Sequence, residues 1–215
     1  MRWQPSVKQV CLIKVNSMDK VTTIDLLRHG AVEGGECFRG WQDDPLTTEG
    51  WQQMNDTVSN PPVWQHIISS PLQRCAAFAE DLSEKQGCPV AYIAGLREMS
   101  FGQWEGKTST ELLETDKQRL ELFWQDPLTH APPSGENAQQ FAKRVLYSWQ
   151  QLLESYQGQH IVLVTHAGVI RVILTHILHM PLADMFRLHV PYACGSRLCI
   201  YPDGFPSLQH HASRL

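Results

Sequence analysis

The stretch His160-Ile161-Val162-Leu163-Val164-Thr165-His166-Ala167-Gly168 decides the fold. Four consecutive apolar residues would bury both faces of a strand, which is the pattern of a central strand in a parallel sheet. Gly168 lets the chain turn sharply, and the apolar run from Val169 to His179 predicts a helix laid back over that sheet. The exit puts His166 at the carboxyl edge of the sheet, where ligands of open α/β sheets bind. The helix after Gly168 aims its free N–H groups at the same space and makes an anion site.

Working outward, the same grammar recurs. Thr23-Ile24-Asp25-Leu26-Leu27 reads as a strand that runs into Arg28-His29-Gly30. After a loop rich in glycine and acidic residues, Pro45-Leu46-Thr47-Thr48-Glu49 opens a helix, with Thr47 as its N-cap. His66 to Ser69 is a further strand; Pro71 is read in the first turn of a helix from Leu72 to Lys85 that Gly87 ends. Val90 to Ile93 is another strand. Residues 95–135, punctuated by proline and glycine, read as a long excursion with short helical pieces near 108–125. From Glu136, Phe141, Val145, Trp149, Leu152, Leu153 and Tyr156 form one apolar helical face. Strands alternating with helices predict a three-layer α/β/α fold on a mostly parallel sheet. Residues 1–20 lack a clear period and are set apart as an N-terminal extension, leaving 21–215 as a single domain.

With 18 Lys+Arg against 22 Asp+Glu, the 215-residue chain carries a net charge of −4. That excludes a dedicated nucleic-acid or basic membrane-surface protein. Its longest apolar runs are five residues, against the roughly 20 that a membrane-spanning helix needs, and no signal peptide is visible. The six cysteines show no CxxC pair or zinc-like spacing. Reduced thiols and a cytoplasmic setting are the expectation.

The chemistry gathers at three strand exits. Arg28-His29-Gly30 and His166-Ala167-Gly168 each supply an imidazole, and Ser69-Ser70-Pro71-Leu72-Gln73-Arg74 supplies a guanidinium from a helix's first turn. Taken singly, a histidine beside glycine is usually a turn residue and an arginine a surface ion pair. Three such exits in order can collect imidazoles, guanidiniums and a helix N-terminus around one anion. His176 and His179 have an i, i+3 spacing that suits a metal, but no third ligand is placed beside them, so helix-surface or core positions are expected and no metal or cofactor is assigned. His210 and His211 are expected in solvent. Phe101, Trp104 and Trp124 are candidates for lining a pocket.

Arg28-His29-Gly30 resembles the signature of the histidine phosphatase superfamily, the phosphoglycerate mutase-like proteins. Five further segments follow in that family's order: Pro45-Leu46-Thr47-Thr48-Glu49-Gly50, Ser69-Ser70-Pro71-Leu72-Gln73-Arg74-Cys75, Arg97 through Gly106, Pro133-Ser134-Gly135-Glu136 and Thr165-His166-Ala167-Gly168. The resemblance implies phosphoryl transfer through a covalent phosphohistidine. His29 would be the nucleophile, Arg28 and Arg74 the clamp on the phosphoryl oxygens, and His166 a further donor. Glu98 would protonate the leaving oxygen and then take a proton from the attacking water. Arg39 and the start of the helix at Ala167 would add phosphate contacts. The chain departs from the family at Gly35, where many members carry a phosphate-contacting asparagine, and at Asn137, where they carry serine. The short excursion between Glu98 and Gly135 favours hydrolysis over mutase chemistry. Arg97 to Gly106 and the compact length are most similar to the bacterial α-ribazole phosphatases of cobalamin nucleotide-loop assembly. The expected partner is a small phosphate monoester. Alternatives are a broad sugar or nucleotide phosphatase, a mutase-like enzyme, a phosphate-binding regulatory module without turnover, and, from ten histidines alone, a metal-dependent hydrolase.

Overall fold

The structure is a computed structural model that describes residues 20–215; the proposed extension, apart from Lys20, lies outside them. Six strands form one sheet in the order β3-β2-β4-β1-β5-β6. Strands β1 (Thr22–Arg28), β2 (His66–Ser69), β3 (Val90–Tyr92) and β4 (His160–Thr165) are parallel. Strands β5 (Gly195–Ile200) and β6 (Pro206–Ser213) run antiparallel at the other end.

Side-chain alternation explains the layers. On β4, Ile161 and Leu163 enter one core and Val162 and Val164 the other. Ile24 and Leu26 of β1 share the first core, and Leu27 the second. Helices α1 (Thr48–Thr57) and α2 (Gln73–Gln86) close the second core through Met54, Cys75, Phe78, Ala79 and Leu82. The short helices α3 (Ser109–Thr115) and α4 (Lys117–Gln125), together with α5 (Ala138–Ser155) and α6 (Ala167–Ile177), cover the first. The expected α/β/α architecture is therefore present.

Local chemistry sets the boundaries. Thr47 caps α1, its hydroxyl accepting from Gly50 N, and Asn137 closes a capping box with Gln140 at the head of α5. Gly87, in the left-handed region at φ 66°, ends α2. Three readings need correction. Helix α2 begins at Gln73 with Leu72 as its N-cap, so Pro71 lies before the helix rather than in its first turn. Helix α6 ends at Ile177 and His179 has φ 52°, so His176 and His179 do not share a helical face. His210 and His211, expected in solvent, are half-buried in β6.

Candidate active site

Register carries the three exits to one place. Arg28 pairs with Thr165, and Ser69 with Val164, so β1, β4 and β2 end at one level. Helix α1 leaves β1 toward one face and α6 leaves β4 toward the other. A crevice between adjacent strands whose helices diverge is where a parallel sheet accepts a ligand. Arg28, His29, Arg39, Arg74, Glu98 and Ala167 all line a cavity of about 400 Å³ there that opens to solvent.

His29 is buried, and its Nδ1 lies 2.8 Å from the Gly30 carbonyl. A carbonyl can only accept, so Nδ1 carries the proton and the lone pair sits on Nε2. Burial first, and then the Arg74 and Arg28 charges, hold its pKa well below 6.5. The ring is thus a neutral, tautomerically fixed base. The turn that presents it requires Gly30, because a Cβ there would run into the Gly50 backbone of α1.

Two guanidiniums flank it, each incompletely used. Arg74 is 1% exposed and donates from Nη1 to the Gln42 carbonyl and from Nη2 to the Gly40 carbonyl, both at 2.7 Å. Arg28 donates from Nη1 to the Val190 carbonyl at 2.6 Å and lies 4.1 Å from the Tyr192 ring centroid. The Nε groups of both are buried without an acceptor. Buried donors left open are costly and mark a place where an acceptor belongs. Two on arginines flanking one cavity suit an oxyanion.

Glu98 projects into the same cavity from the excursion. Its Oε2 accepts from Gly168 N at 3.1 Å and its Oε1 from Met99 N at 2.9 Å, which holds the carboxyl over the N-terminus of α6. Arg144 fixes the supporting loop, donating to the Gly95, Arg97 and Glu98 carbonyls. Glu136 pairs with Arg144 at 2.6 Å and accepts from Ser100 N at 2.9 Å. The Pro133–Glu136 segment thus acts through a carboxylate that anchors the loop carrying Glu98.

Not every expected residue arrives as expected. His166 lies beside His29, with ring centroids 5.2 Å apart, but it is fully buried and its Nε2 lies 2.7 Å from Ser70 Oγ. Burial and the Arg74 charge keep it neutral as well. Arg39 reaches the rim, yet its guanidinium is taken up by Asp44 and the Gly35 carbonyl. Of the aromatic candidates Phe101 lines the cavity. Trp104 is core, with its indole N–H on Asp116 at 2.9 Å, and Trp124 is 51% exposed outside the cavity. Sequence reasoning missed Arg171 and Tyr192, both cavity-lining. Arg171 had one available signal: it stands four residues after Ala167, one turn further along the same face of α6. Among the described residues no group of three or more potential ligands could hold a metal ion.

An α/β sheet whose carboxyl edge presents a neutral, oriented imidazole between unsaturated arginines defines a histidine-centred phosphoryl-transfer protein. A family model described as the histidine phosphatase superfamily (branch 1) matches residues 24–212, and the chain belongs to that family. Among curated relatives, the adenosylcobalamin/alpha-ribazole phosphatase of Escherichia coli is 28% identical over 81% of this chain and 88% of its own length. The counterpart from Salmonella typhimurium is also 28% identical, over 88% of this chain and 95% of its own. Among solved structures, the alpha-ribazole phosphatase from Shigella flexneri superimposes with a TM-score of 0.83 at 27% identity, covering 89% of this chain and 96% of that one.

Proposed function

We propose that the chain is a phosphomonoesterase working through phosphohistidine, with His29 as nucleophile. The observation that carries the reading is the fixed tautomer of His29 between Arg28 and Arg74, whose buried Nε donors await oxygens. In the first step the Nε2 lone pair attacks phosphorus in line with the ester oxygen. The P–O bond breaks as the N–P bond forms, and Glu98 gives its proton to the departing alcohol. In the second step water attacks the phosphohistidine and loses a proton to Glu98. The N–P bond returns its electron pair to Nε2 and inorganic phosphate is released. Arg28 and Arg74 stabilise charge on the equatorial oxygens, the dominant contribution in phosphoryl transfer. The Ala167 end of α6 adds its positive dipole end. His166, beside His29, is a further donor, and Arg39 shapes the rim while paired to Asp44.

The leading substrate is α-ribazole 5′-phosphate, released as α-ribazole in cobalamin nucleotide-loop assembly. It is supported by the activity named for the relatives and by the aromatic wall of Phe38, Phe101 and Tyr192, which suits a flat base. We place the reaction in residues 21–215, without a metal, and in the cytoplasm. No described helix is long and apolar enough to cross a membrane. Hydrolysis rather than mutase transfer fits a cavity whose mouth admits water.

The test is phosphate release with chelator present, from α-ribazole 5′-phosphate and a panel of sugar, nucleotide and glycerate phosphates, beside acid-labile labelling of the protein. His29→Ala is expected to lose the label and nearly all turnover. Normal labelling of that variant would sink the nucleophile assignment. Uniform low rates across the panel would keep the chemistry and withdraw the α-ribazole substrate.

A further inference from the structure

Two cavity-lining guanidiniums hang from one strap of chain. Between the 3₁₀ turn Leu182–Arg187 and β5, the strap gives its Val190 carbonyl to Arg28 and its Leu188 carbonyl to Arg171 Nε at 3.0 Å. Tyr192 lies against the first guanidinium, and Phe186 has its ring centroid 5.8 Å from the second. Backbone and ring together hold Arg171 in one posture, so little side-chain entropy remains for a ligand to remove.

Arg171 has no carboxylate within ion-pair distance among the described residues, and Nε alone bonds to protein. It stands on α6 about 6 Å beyond Ala167 along the helix axis, away from the helix N-terminus that faces the phosphoryl group. The charges of the productive complex leave it unmatched. A phosphoryl dianion opposes Arg28 and Arg74, Asp44 neutralises Arg39, both histidines are neutral, Glu98 must carry its proton before the ester bond breaks, and Glu36, the other carboxylate lining the cavity, makes no ion pair with Arg171. One half-buried cation therefore faces the part of the cavity that the phosphoryl group does not fill.

We propose that Arg171 is a substrate-binding residue that grips oxygen acceptors on the alcohol portion of the ester, either a carboxylate or a pair of hydroxyls. A guanidinium presents a planar fork of donors suited to both. The inference rests on the phosphomonoesterase reading and goes beyond it, by dividing the cavity into a phosphoryl end at Arg28 and Arg74 and an alcohol end at Arg171.

The experiment compares wild type with Arg171→Met and Arg171→Lys on three esters. Phenyl phosphate has no oxygen in its alcohol portion beyond the ester itself, ribose 5-phosphate offers hydroxyls, and 3-phosphoglycerate offers a carboxylate. Loss of a charged hydrogen bond predicts a fall in kcat/KM of about 10- to 100-fold for Arg171→Met on at least one oxygenated ester. Whichever ester falls identifies the oxygen. Phenyl phosphate and the Ki of inorganic phosphate are expected to stay within about twofold. A matching loss on phenyl phosphate, or a matching rise in Ki, would put Arg171 in the phosphoryl clamp and overturn the proposal. So would no loss on any ester. Arg171→Lys keeps the charge without the fork and gives the same comparison if the Met variant does not fold. Wild-type protein that hydrolyses none of the three, with no phosphoenzyme, removes the underlying phosphatase reading, and this inference goes with it.

Discussion

His29 and His166 are imidazoles that folding makes hard to charge. Burial is the main cause, followed by Arg74. Above about pH 6.5 both are neutral whether the chain is folded or not, so they add no pH dependence there. Below it the unfolded chain takes up protons that the folded one refuses, and stability falls as pH falls. The thermal midpoint is therefore expected to drop between pH 7 and pH 5, and replacing both histidines by asparagine should flatten that slope. His29 or His166 resonances still titrating near 6.5 in the folded protein would contradict it. The same neutrality keeps the His29 lone pair available in mildly acidic solution. A second residue-scale prediction concerns Gly168, which packs against Glu98 so closely that a Cβ would run into Oε1. Gly168→Ala should leave the fold intact but displace the carboxyl. Turnover of alkyl phosphates should fall at least about tenfold while 4-nitrophenyl phosphate, whose leaving oxygen hardly needs a proton, is spared. Equal losses on both would place the proton donor elsewhere.

At the scale of elements, the start of α1 was legible because a cap is local chemistry. Thr47 needs only the next turn of chain to do its work. Asn137 also caps a helix, though the sequence marked it only as a departure from the serine of relatives. Asn137→Ala should cost about 1 kcal/mol in denaturant unfolding with kcat unchanged. Arg144→Met should do the reverse in kind, because it frees the loop bearing Glu98. It is expected to slow alkyl esters about tenfold more than 4-nitrophenyl phosphate, and parallel losses would mean that the loop is held by other contacts. Strands β5 and β6 escaped notice for an equally physical reason. Gly195-Ser196-Arg197-Leu198-Cys199-Ile200 has one fully buried apolar side chain, Leu198, and β6 carries serine, glutamine and histidine. Strand β5 pairs with β1 and β6 with β5, without an apolar alternation of their own to announce it. The site followed the same divide. His29, Arg74 and Glu98 sit in recognisable motifs, and Arg171 follows one of them by a helical turn on α6, whereas Tyr192 comes to the cavity through the path of the 182–192 segment, which no local pattern announces.

For the molecule as a whole, one buried carboxylate ties the sheet together. Asp25, in the middle of β1, is fully buried and receives Trp64 Nε1 at 2.7 Å, a paired contact from Arg197 at 2.7 and 2.9 Å, and His160 at 2.8 Å. Burial alone would push its carboxyl up, but the hydrogen bonds from His160, Arg197 and Trp64 outweigh it and hold it below the ordinary value. Asp25→Ala leaves the buried Trp64 Nε1 without its acceptor and is expected to cost about 1–3 kcal/mol, with kcat of the remaining folded protein preserved; a loss under about 0.5 kcal/mol would show the network to be replaceable. The ends of the sheet have a different bearing. Strand β3 is three residues long, and the pairing of β6 with β5 shifts register twice, between Gly195 and Ser196 and between Arg197 and Leu198. Short or bulged margins of this kind give a neighbouring chain no straight ladder to extend. At the concentrations of a crowded cell, the sheet is thereby guarded at both ends against being lengthened into a ribbon of stacked copies.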